Sequence, residues 1–201
     1  MKITKFDNKE DWLRARMGRI TGSRLKDIVV KRGTGEKIGY YELIAERIAT
    51  TPENEDAMER GIRLEEEAVQ KFTEKTGIKV DTSLVIWERN DNSGIAISPD
   101  GTIGDTEAVE VKCLSSARHI EAYLTNKIPS DYEYQVLQYF IVNDKLENLY
   151  FVMYDPRMPE NLQLNCITVT RDDRQAEISE YLEYQNKKLK EIEDIITRLT
   201  F

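Results

Sequence analysis

Three side chains between residues 98 and 113 are of the types that metal-assisted hydrolysis uses. The segment holds the tetrapeptide SPDG at 98–101 and the hexapeptide AVEVKC at 108–113. Proline is excluded from central strands and Asp-Gly favours a turn, so the tetrapeptide predicts a strand end followed by a turn. The hexapeptide predicts a strand on which Glu110 and Lys112 share one face. A hairpin between the two segments would bring Asp100 beside Glu110.

Two carboxylates and an ammonium group at one sheet edge suit metal-assisted cleavage of a phosphodiester. Asp100 and Glu110 would hold Mg²⁺, with the carbonyl of Val111 as a further ligand, and the ion would keep several waters and accept phosphate oxygens. Such an ion stabilises charge on the phosphate and lowers the pKa of a bound water. Lys112 would orient or deprotonate that water, or neutralise developing charge. The alternative interpretation is a cross-strand salt bridge on a solvated face, because the D…ExK pattern is common.

A third carboxylate is predicted on a long helix from about residue 57 to residue 76, which Gly77 ends. Three consecutive glutamates, residues 65–67, cannot share one helix face. Glu65 borders the predicted apolar face and therefore needs a partner or a metal, whereas Glu66 and Glu67 are expected to be solvated. The predicted apolar face consists of Leu64, Ala68, Val69 and Phe72.

The order of the predicted elements indicates an α/β fold, an α+β mixed sheet flanked by helices, in one domain over residues 1–201. The domain would comprise a helical N-terminal part (1–77), a sheet core (78–170) and a C-terminal helix (172–200). Besides the helix at 57–76, the predicted helices span about 9–17, 24–30, 40–49, 116–124, 131–142 and 172–199. The predicted strands span about 79–88, 95–98, 108–113, 149–154 and 164–170.

Charge is distributed unevenly along the chain. The formal net charge is −8, yet residues 1–47 carry 12 Lys and Arg against 7 Asp and Glu. This basic part is a candidate phosphate-contact surface, or ordinary helix-surface charge. Ser23 would stand at the N-terminus of the second helix, where free backbone amides could bind an anion. The alternative role for Ser23 is that of a plain N-cap.

The scarcity of cysteine and histidine excludes several kinds of site. Two cysteines do not make a disulfide framework or a thiolate metal site, and one histidine, His119, cannot build a multi-histidine zinc centre. His119 is expected to be partly exposed and to take no part in chemistry. No apolar run approaches membrane-spanning length, so a protein without membrane association in a reducing cytoplasm is expected.

Four motifs together resemble those of the YqaJ-type, lambda exonuclease-like phage recombination exonucleases of the PD-(D/E)XK nuclease superfamily. They are WLRARMGRITGS at 12–23, RGIRLE at 60–65, the SPDG…EVKC pair and YEYQ at 132–135. Their order and spacing cover nearly the whole chain, which makes the resemblance far more specific than a D…ExK pattern alone. It implies a restriction-endonuclease-like core.

The resemblance also assigns roles to residues. In the first motif it implies that Arg16 and Ser23 bind a 5′-phosphate, and in the fourth that Gln135 contacts the substrate. Glu65 of the second motif would help hold the metal site. The third motif would supply the metal ligands and the catalytic lysine, that is, Asp100, Glu110, the Val111 carbonyl and Lys112.

The implied activity is Mg²⁺-dependent 5′-to-3′ degradation of one strand of linear double-stranded DNA, with Mn²⁺ able to substitute. Digestion would start at a 5′-phosphorylated end, release 5′-mononucleotides and leave a 3′ single-stranded overhang for recombination. The family implies a homotrimeric ring around DNA, a single-strand annealing protein as partner, and a phage or prophage gene expressed in a bacterial host. The alternatives are another PD-(D/E)XK nuclease, cutting internally or at single-strand ends, and a non-catalytic DNA-binding protein of the same fold.

Overall fold

A computed structural model of the chain describes residues 1–29, 37, 40, 43, 58–114 and 116–200, with residues 58–63 and 116–117 described by their backbone alone. The strands are β1 (Lys2–Lys5), β2 (Val85–Glu88), β3 (Ala96–Ile97), β4 (Gly101–Ile103), β5 (Glu107–Lys112), β6 (Asn148–Tyr154) and β7 (Leu164–Thr170). The α-helices are α1 (Lys9–Arg16), α2 (Gly22–Ile28), α3 (Met58–Thr76), α4 (Ser116–Thr125), α5 (Glu133–Val142) and α6 (Gln175–Thr200). The predicted helix at 40–49 lies outside the described residues except for two positions.

The described strands form two sheets. One is antiparallel with the order β1-β2-β3, and the other has the order β4-β5-β6-β7. In the second sheet β5 runs parallel to β6, while the β4–β5 and β6–β7 pairs are antiparallel. This mixed sheet flanked by helices is the predicted fold class.

The side chains of β5 alternate between two helices, as its sequence predicts. Val109 and Val111 pack with the buried side chains of α3, including Phe72. Glu110 and Lys112 point to the opposite face, which α5 covers. The alternation therefore places an apolar layer behind the strand and its charged groups in front of it.

Helix α5 lies at the centre of the structure and is buried from Val136 to Val142. One of its buried residues, Gln138, forms a reciprocal amide pair with Gln185 of α6, at 3.0 and 2.9 Å. The Gln138 amide also donates to the carbonyls of Ile20 and Ala96, at 2.9 and 3.3 Å. Since a buried amide must be hydrogen-bonded, this network fixes α5 relative to α6, β3 and the segment before α2.

Helix α2 approaches α5 closely because it begins with a glycine. A Cβ atom at Gly22 would lie 2.8 Å from Gln135 Cγ and 2.8 Å from Ile97 Cδ1. The N-cap of α2 is Thr21, so the prediction of Ser23 as a plain N-cap is wrong. Ser23 is instead an exposed residue of the first turn.

Other local predictions also differ from the structure. The predicted strand at 79–88 is reduced to Val85–Glu88, and β1 was not predicted at all. His119, expected to be partly exposed, is buried at 1% exposure, and its Nε2 lies 2.8 Å from the carbonyl of Leu162. Within the described part of the chain, no helix combines the length and hydrophobicity needed to cross a bilayer.

Gly101, directly after Asp100, is predicted to tolerate no side chain. A Cβ atom there would lie 2.2 Å from Val80 Cγ1, so Gly101→Ala should destabilise the protein by about 1–3 kcal/mol through overpacking. Val80→Ala removes the clashing methyl and should restore part of the stability lost in Gly101→Ala. The effects of the two substitutions on the free energy of unfolding should therefore not be additive. Urea unfolding of both single variants and the double variant measures this coupling; strictly additive effects would contradict it.

Candidate active site

The β4–β5 hairpin brings the two carboxylates of the predicted site together. Gly101 pairs with Val109, which places Asp100 opposite Glu110 at the end of the hairpin. The Val111 amide donates to Asp100 Oδ2 at 2.7 Å. This backbone hydrogen bond holds the half-buried Asp100 carboxylate in one orientation, so the hairpin fixes Asp100 as well as its neighbour.

Glu110 is hydrogen-bonded through both oxygens. Oε1 accepts from Lys112 Nζ and from Gln135 Nε2, and Oε2 accepts from the Tyr139 hydroxyl at 2.5 Å. The Glu110 side chain is 1% exposed and that of Lys112 is 22% exposed. The ion pair therefore lies on a largely buried face, unlike the solvated salt bridge considered as the alternative.

Burial and charge crowding perturb the ionisation of this cluster. Burial, followed by the nearby charge of Glu110, raises the pKa of Asp100 well above its usual value. Burial alone would lower the pKa of Lys112, but Glu110 and Asp100 outweigh it and raise that pKa. Burial and the charge of Glu110 also raise the pKa of Tyr139. At neutral pH Lys112 is therefore an ammonium group, and the Tyr139 hydroxyl retains its proton to donate.

Arg16 lies within electrostatic range of the two carboxylates. Its guanidinium is 4.5 Å from the centroid of the Trp12 ring. Burial lowers the pKa of Arg16, while the charges of Asp100 and Glu110 oppose this effect. Arg16 thus stays close enough to both carboxylates to act on them electrostatically, although it comes from a helix distant in sequence.

Glu65 approaches the pair without joining it. Its side chain is partly exposed, and its charge contributes to the raised pKa of Asp100 after burial and Glu110. Glu66 and Glu67 are both exposed, as expected. Glu67 also accepts a hydrogen bond of 2.6 Å from the Tyr154 hydroxyl. No group of three Asp, Glu, His or Cys within the described ranges is arranged to hold a metal.

The donor set nevertheless fits a hard divalent cation. Mg²⁺ is commonly held by one or two carboxylates and completes its shell with waters and substrate phosphate oxygens. Asp100 and Glu110 supply two such carboxylates at one point of the sheet. Burial and the charge of Glu110 raise the pKa of Asp100, and a bound divalent cation would offset both effects.

Two residues near the site were not singled out from the sequence. Tyr139 follows Gln135 by four positions and therefore lies on the same face of α5, a spacing that could have indicated it. Ser98 belongs to the SPDG tetrapeptide, and its buried Oγ has no hydrogen-bond partner among the described residues. No pattern in the sequence distinguishes this hydroxyl from that of any other serine.

Comparison with known proteins identifies the family. Residues 11–145 match the family described as the YqaJ-like viral recombinase domain. The chain belongs to this family. No curated protein sequence matches this YqaJ-like chain.

Solved structures resemble the YqaJ-like chain over almost its full length. An alkaline exonuclease, LHK-Exo from Laribacter hongkongensis, is 32% identical with a TM-score of 0.83, and the match covers 96% of each chain. The structure of LHK-Exo with dAMP gives 31% identity and a TM-score of 0.80, covering 96% of this chain and 98% of that one. A phage-related exonuclease from Haemophilus somnus 129PT, at 13% identity and a TM-score of 0.62 over 91% and 96% of the two chains, shares the fold.

The raised pKa of Asp100 predicts how stability changes with pH in the metal-free protein. The pKa of Asp100 is about 3.9 in the unfolded chain and higher in the folded protein. Between these two values the folded state binds more protons than the unfolded state, so the contribution of Asp100 to the free energy of unfolding falls as pH rises. Asp100→Asn removes the contribution and keeps an acceptor for the Val111 amide. The variant should therefore gain stability over wild type as pH rises from about 5 to about 8 in EDTA.

Urea unfolding at the two pH values measures this gain. Asp81→Asn is the control, because Asp81 is exposed and its pKa is lowered by hydrogen bonds from Ser83. Asp81→Asn should show no gain. Parallel pH profiles for wild type and Asp100→Asn would contradict the prediction.

Proposed function

We propose that this YqaJ-like protein is a Mg²⁺-dependent exonuclease that degrades one strand of linear double-stranded DNA from a 5′-phosphorylated end. The observation that carries the proposal is the pairing of Asp100 with the buried Glu110, with Lys112 beside them. The similarity to LHK-Exo, an alkaline exonuclease, supports a phage-type exonuclease. The 5′-to-3′ direction, the release of 5′-mononucleotides and the 3′ overhang belong to the proposal.

Asp100, Glu110 and the Val111 carbonyl would hold the cation, and Glu65, whose charge acts on Asp100, would help to hold the metal site. A bound Mg²⁺ would supply charge stabilisation at the phosphate and a more acidic water, and Mn²⁺ would substitute for it. In the metal-free protein, Lys112 and Gln135 donate hydrogen bonds to Oε1 of Glu110. These two groups are therefore well placed to turn toward water and substrate when the carboxylate takes another partner.

Lys112 orients the attacking water and neutralises negative charge on the phosphate. Its raised pKa favours these roles over that of a general base. Attack on phosphorus breaks the bond to the 3′-oxygen of the terminal nucleotide. A 5′-mononucleotide leaves, and the next nucleotide becomes the new 5′-phosphorylated end. The complex of LHK-Exo with dAMP contains a product of this chemical class.

Recognition of the strand end falls to three residues. Arg16 presents a planar guanidinium fork that suits a phosphate group, and its position beside the carboxylates brings that phosphate near the hydrolytic groups. Ser23 is exposed in the first turn of α2. The side-chain amide of Gln135 donates to Glu110, and its Cγ atom lies close to Gly22, the residue before Ser23 in the first turn of α2.

Assembly and partners extend the proposal. The net charge of −8 disfavours tight binding of DNA over the whole surface, so processive digestion would depend on a homotrimeric ring that encloses the duplex. A single-strand annealing protein would receive the 3′ overhang in the cytoplasm of the bacterial host. Light scattering of the purified protein tests the trimer directly, and a monomer would remove the ring from the proposal.

Digestion of labelled duplex DNA tests the proposed activity. Linear DNA with a 5′-phosphate should release mononucleotides in Mg²⁺ and none in EDTA. Asp100→Ala and Lys112→Ala should each lower kcat by about 100-fold or more, because the first removes a ligand of the proposed cation and the second removes a positive charge at the reacting phosphate. Lys75→Ala is the control, since Lys75 is exposed and its described hydrogen bond, at 3.3 Å, is to the Leu164 carbonyl rather than to a group of the site.

The same assay separates the alternatives. Cleavage of covalently closed circles at a similar rate would identify an endonuclease. Absence of cleavage in Mg²⁺ or Mn²⁺, with DNA still bound, would identify a DNA-binding protein of the same fold.

Arg16 is predicted to set the preference for phosphorylated ends. Arg16→Lys keeps the charge and loses the planar fork, so the ratio of kcat/KM for phosphorylated over unphosphorylated ends should fall roughly tenfold, the value of one charge-assisted hydrogen bond. Arg14→Lys, on the same helix, alters an exposed pair with Glu10 and should leave the ratio unchanged. An equal ratio in all three proteins would exclude Arg16 from end recognition.

A further inference from the structure

The carboxylate of Glu110 is bound from two different sides. Its Oε2 accepts from Tyr139, which is 0% exposed in the middle of α5. Its Oε1 accepts from Lys112 and Gln135, which are both partly exposed. Oε2 is therefore the oxygen held in the protein interior, and Oε1 is the oxygen on the accessible side.

Tyr139 cannot easily release Oε2. Its ring packs edge-on against Trp87, with centroids 6.3 Å apart and an interplanar angle of 84°. Trp87 is itself buried in the main core. A buried hydroxyl that gave up this hydrogen bond would need another acceptor for its proton. The backbone amide of Asp100 also bonds to the Tyr139 hydroxyl, but an amide donates and cannot take the place of the Glu110 carboxylate.

This arrangement matters for the choice of cation. Ca²⁺ takes six to eight oxygens and accepts carboxylates through one or both of their oxygens, whereas Mg²⁺ requires near-octahedral coordination by six. A glutamate that offers both oxygens suits the larger ion. A glutamate restricted to one oxygen favours the smaller ion.

We propose that Tyr139 is a positioning residue that retains Oε2 of Glu110 in the interior, so that Glu110 offers a divalent cation only Oε1 and the site favours Mg²⁺ over Ca²⁺. The inference rests on the proposed function, because it assumes that Glu110 holds the cation. It assigns Tyr139 a role in selectivity that is separate from the binding of DNA.

The chain offers a matched control on the same strand. Tyr150 donates to Glu107 Oε1 at 3.1 Å, and Glu107 is the first residue of β5. Tyr150→Phe therefore removes the same kind of hydrogen bond from a glutamate outside the site. Tyr139→Phe keeps the ring against Trp87 and removes only the hydroxyl.

Metal affinities of the metal-free proteins test the proposal without DNA. Binding of Mn²⁺, which shares the octahedral preference of Mg²⁺, is measured by electron paramagnetic resonance, and binding of Ca²⁺ by calorimetry. In Tyr139→Phe the ratio of Ca²⁺ Kd to Mn²⁺ Kd should fall about tenfold. This is the lower end of the change in metal affinity that follows loss of a residue hydrogen-bonded to a metal ligand. Tyr150→Phe should keep the wild-type ratio.

The possible outcomes distinguish failure of the selectivity role of Tyr139 from failure of the proposed metal site. Mn²⁺ binding by wild type with an unchanged ratio in Tyr139→Phe would overturn the selectivity role alone. Equal weakening of both ions would also overturn it, because it would show only a structural role. Failure of wild type to bind either ion at millimolar concentration would overturn the proposed metal site and this inference together.

A measurement on protein that keeps Tyr139 covers the case in which Tyr139→Phe does not fold. Infrared difference spectra with ¹³C-labelled glutamate, recorded in a Glu65→Gln background, report the carboxylate stretches of Glu110 when Mn²⁺ is added. Coordination through one oxygen gives a wide separation of the antisymmetric and symmetric stretches. A narrow separation, typical of coordination through both oxygens, would overturn the proposal.

Discussion

The burial of Glu110 is the constraint from which the arrangement of the site follows. An ionised carboxylate in a dry interior is strongly unfavourable unless it is paired and hydrogen-bonded. The three donors that satisfy Glu110 come from β5 itself and from α5, so α5 must lie across the front of the strand. Asp100 brings a second carboxylate into the same region, and their mutual repulsion adds to the cost of burial that raises the Asp100 pKa. The protein thus keeps two negative charges together at a point where a cation would offset them.

The parts of the site that were predictable depend on local sequence signals. The SPDG turn and the alternation after it predict the hairpin, the shared face of Glu110 and Lys112, and the approach of Asp100. The periodicity of α3 likewise predicts its buried face, which includes Ala68, Val69 and Phe72. The predictions of the hairpin and of this buried face succeed because the periods of strands and helices are strict and one apolar face suffices to define them. The role of Glu65 at the metal site stays a prediction.

The features that were missed depend on contacts between distant segments. Strand β1 is mostly exposed and shows no apolar alternation, so only its pairing with β2 defines it. The burial of His119 follows from a hydrogen bond to a carbonyl more than forty residues away. The spacing of four from Gln135 places Tyr139 on the same face of α5, but its hydrogen bond to Glu110 becomes visible only when α5 packs across β5. Composition and periodicity contain no information on which side chain meets a buried carboxylate.

The amide pair between Gln138 and Gln185 has a consequence for how the protein is made. Domains emerging from the ribosome acquire their contacts from the N-terminus onward. The hairpin with its carboxylates and the helix bearing Gln135 and Tyr139 are therefore synthesised before α6, whose Gln185 completes the packing of that helix. The chain that carries Glu110 and its three donors is therefore complete before α6 is made, but the helix that presents Gln135 and Tyr139 gains its last buried hydrogen bonds only when α6 has been translated.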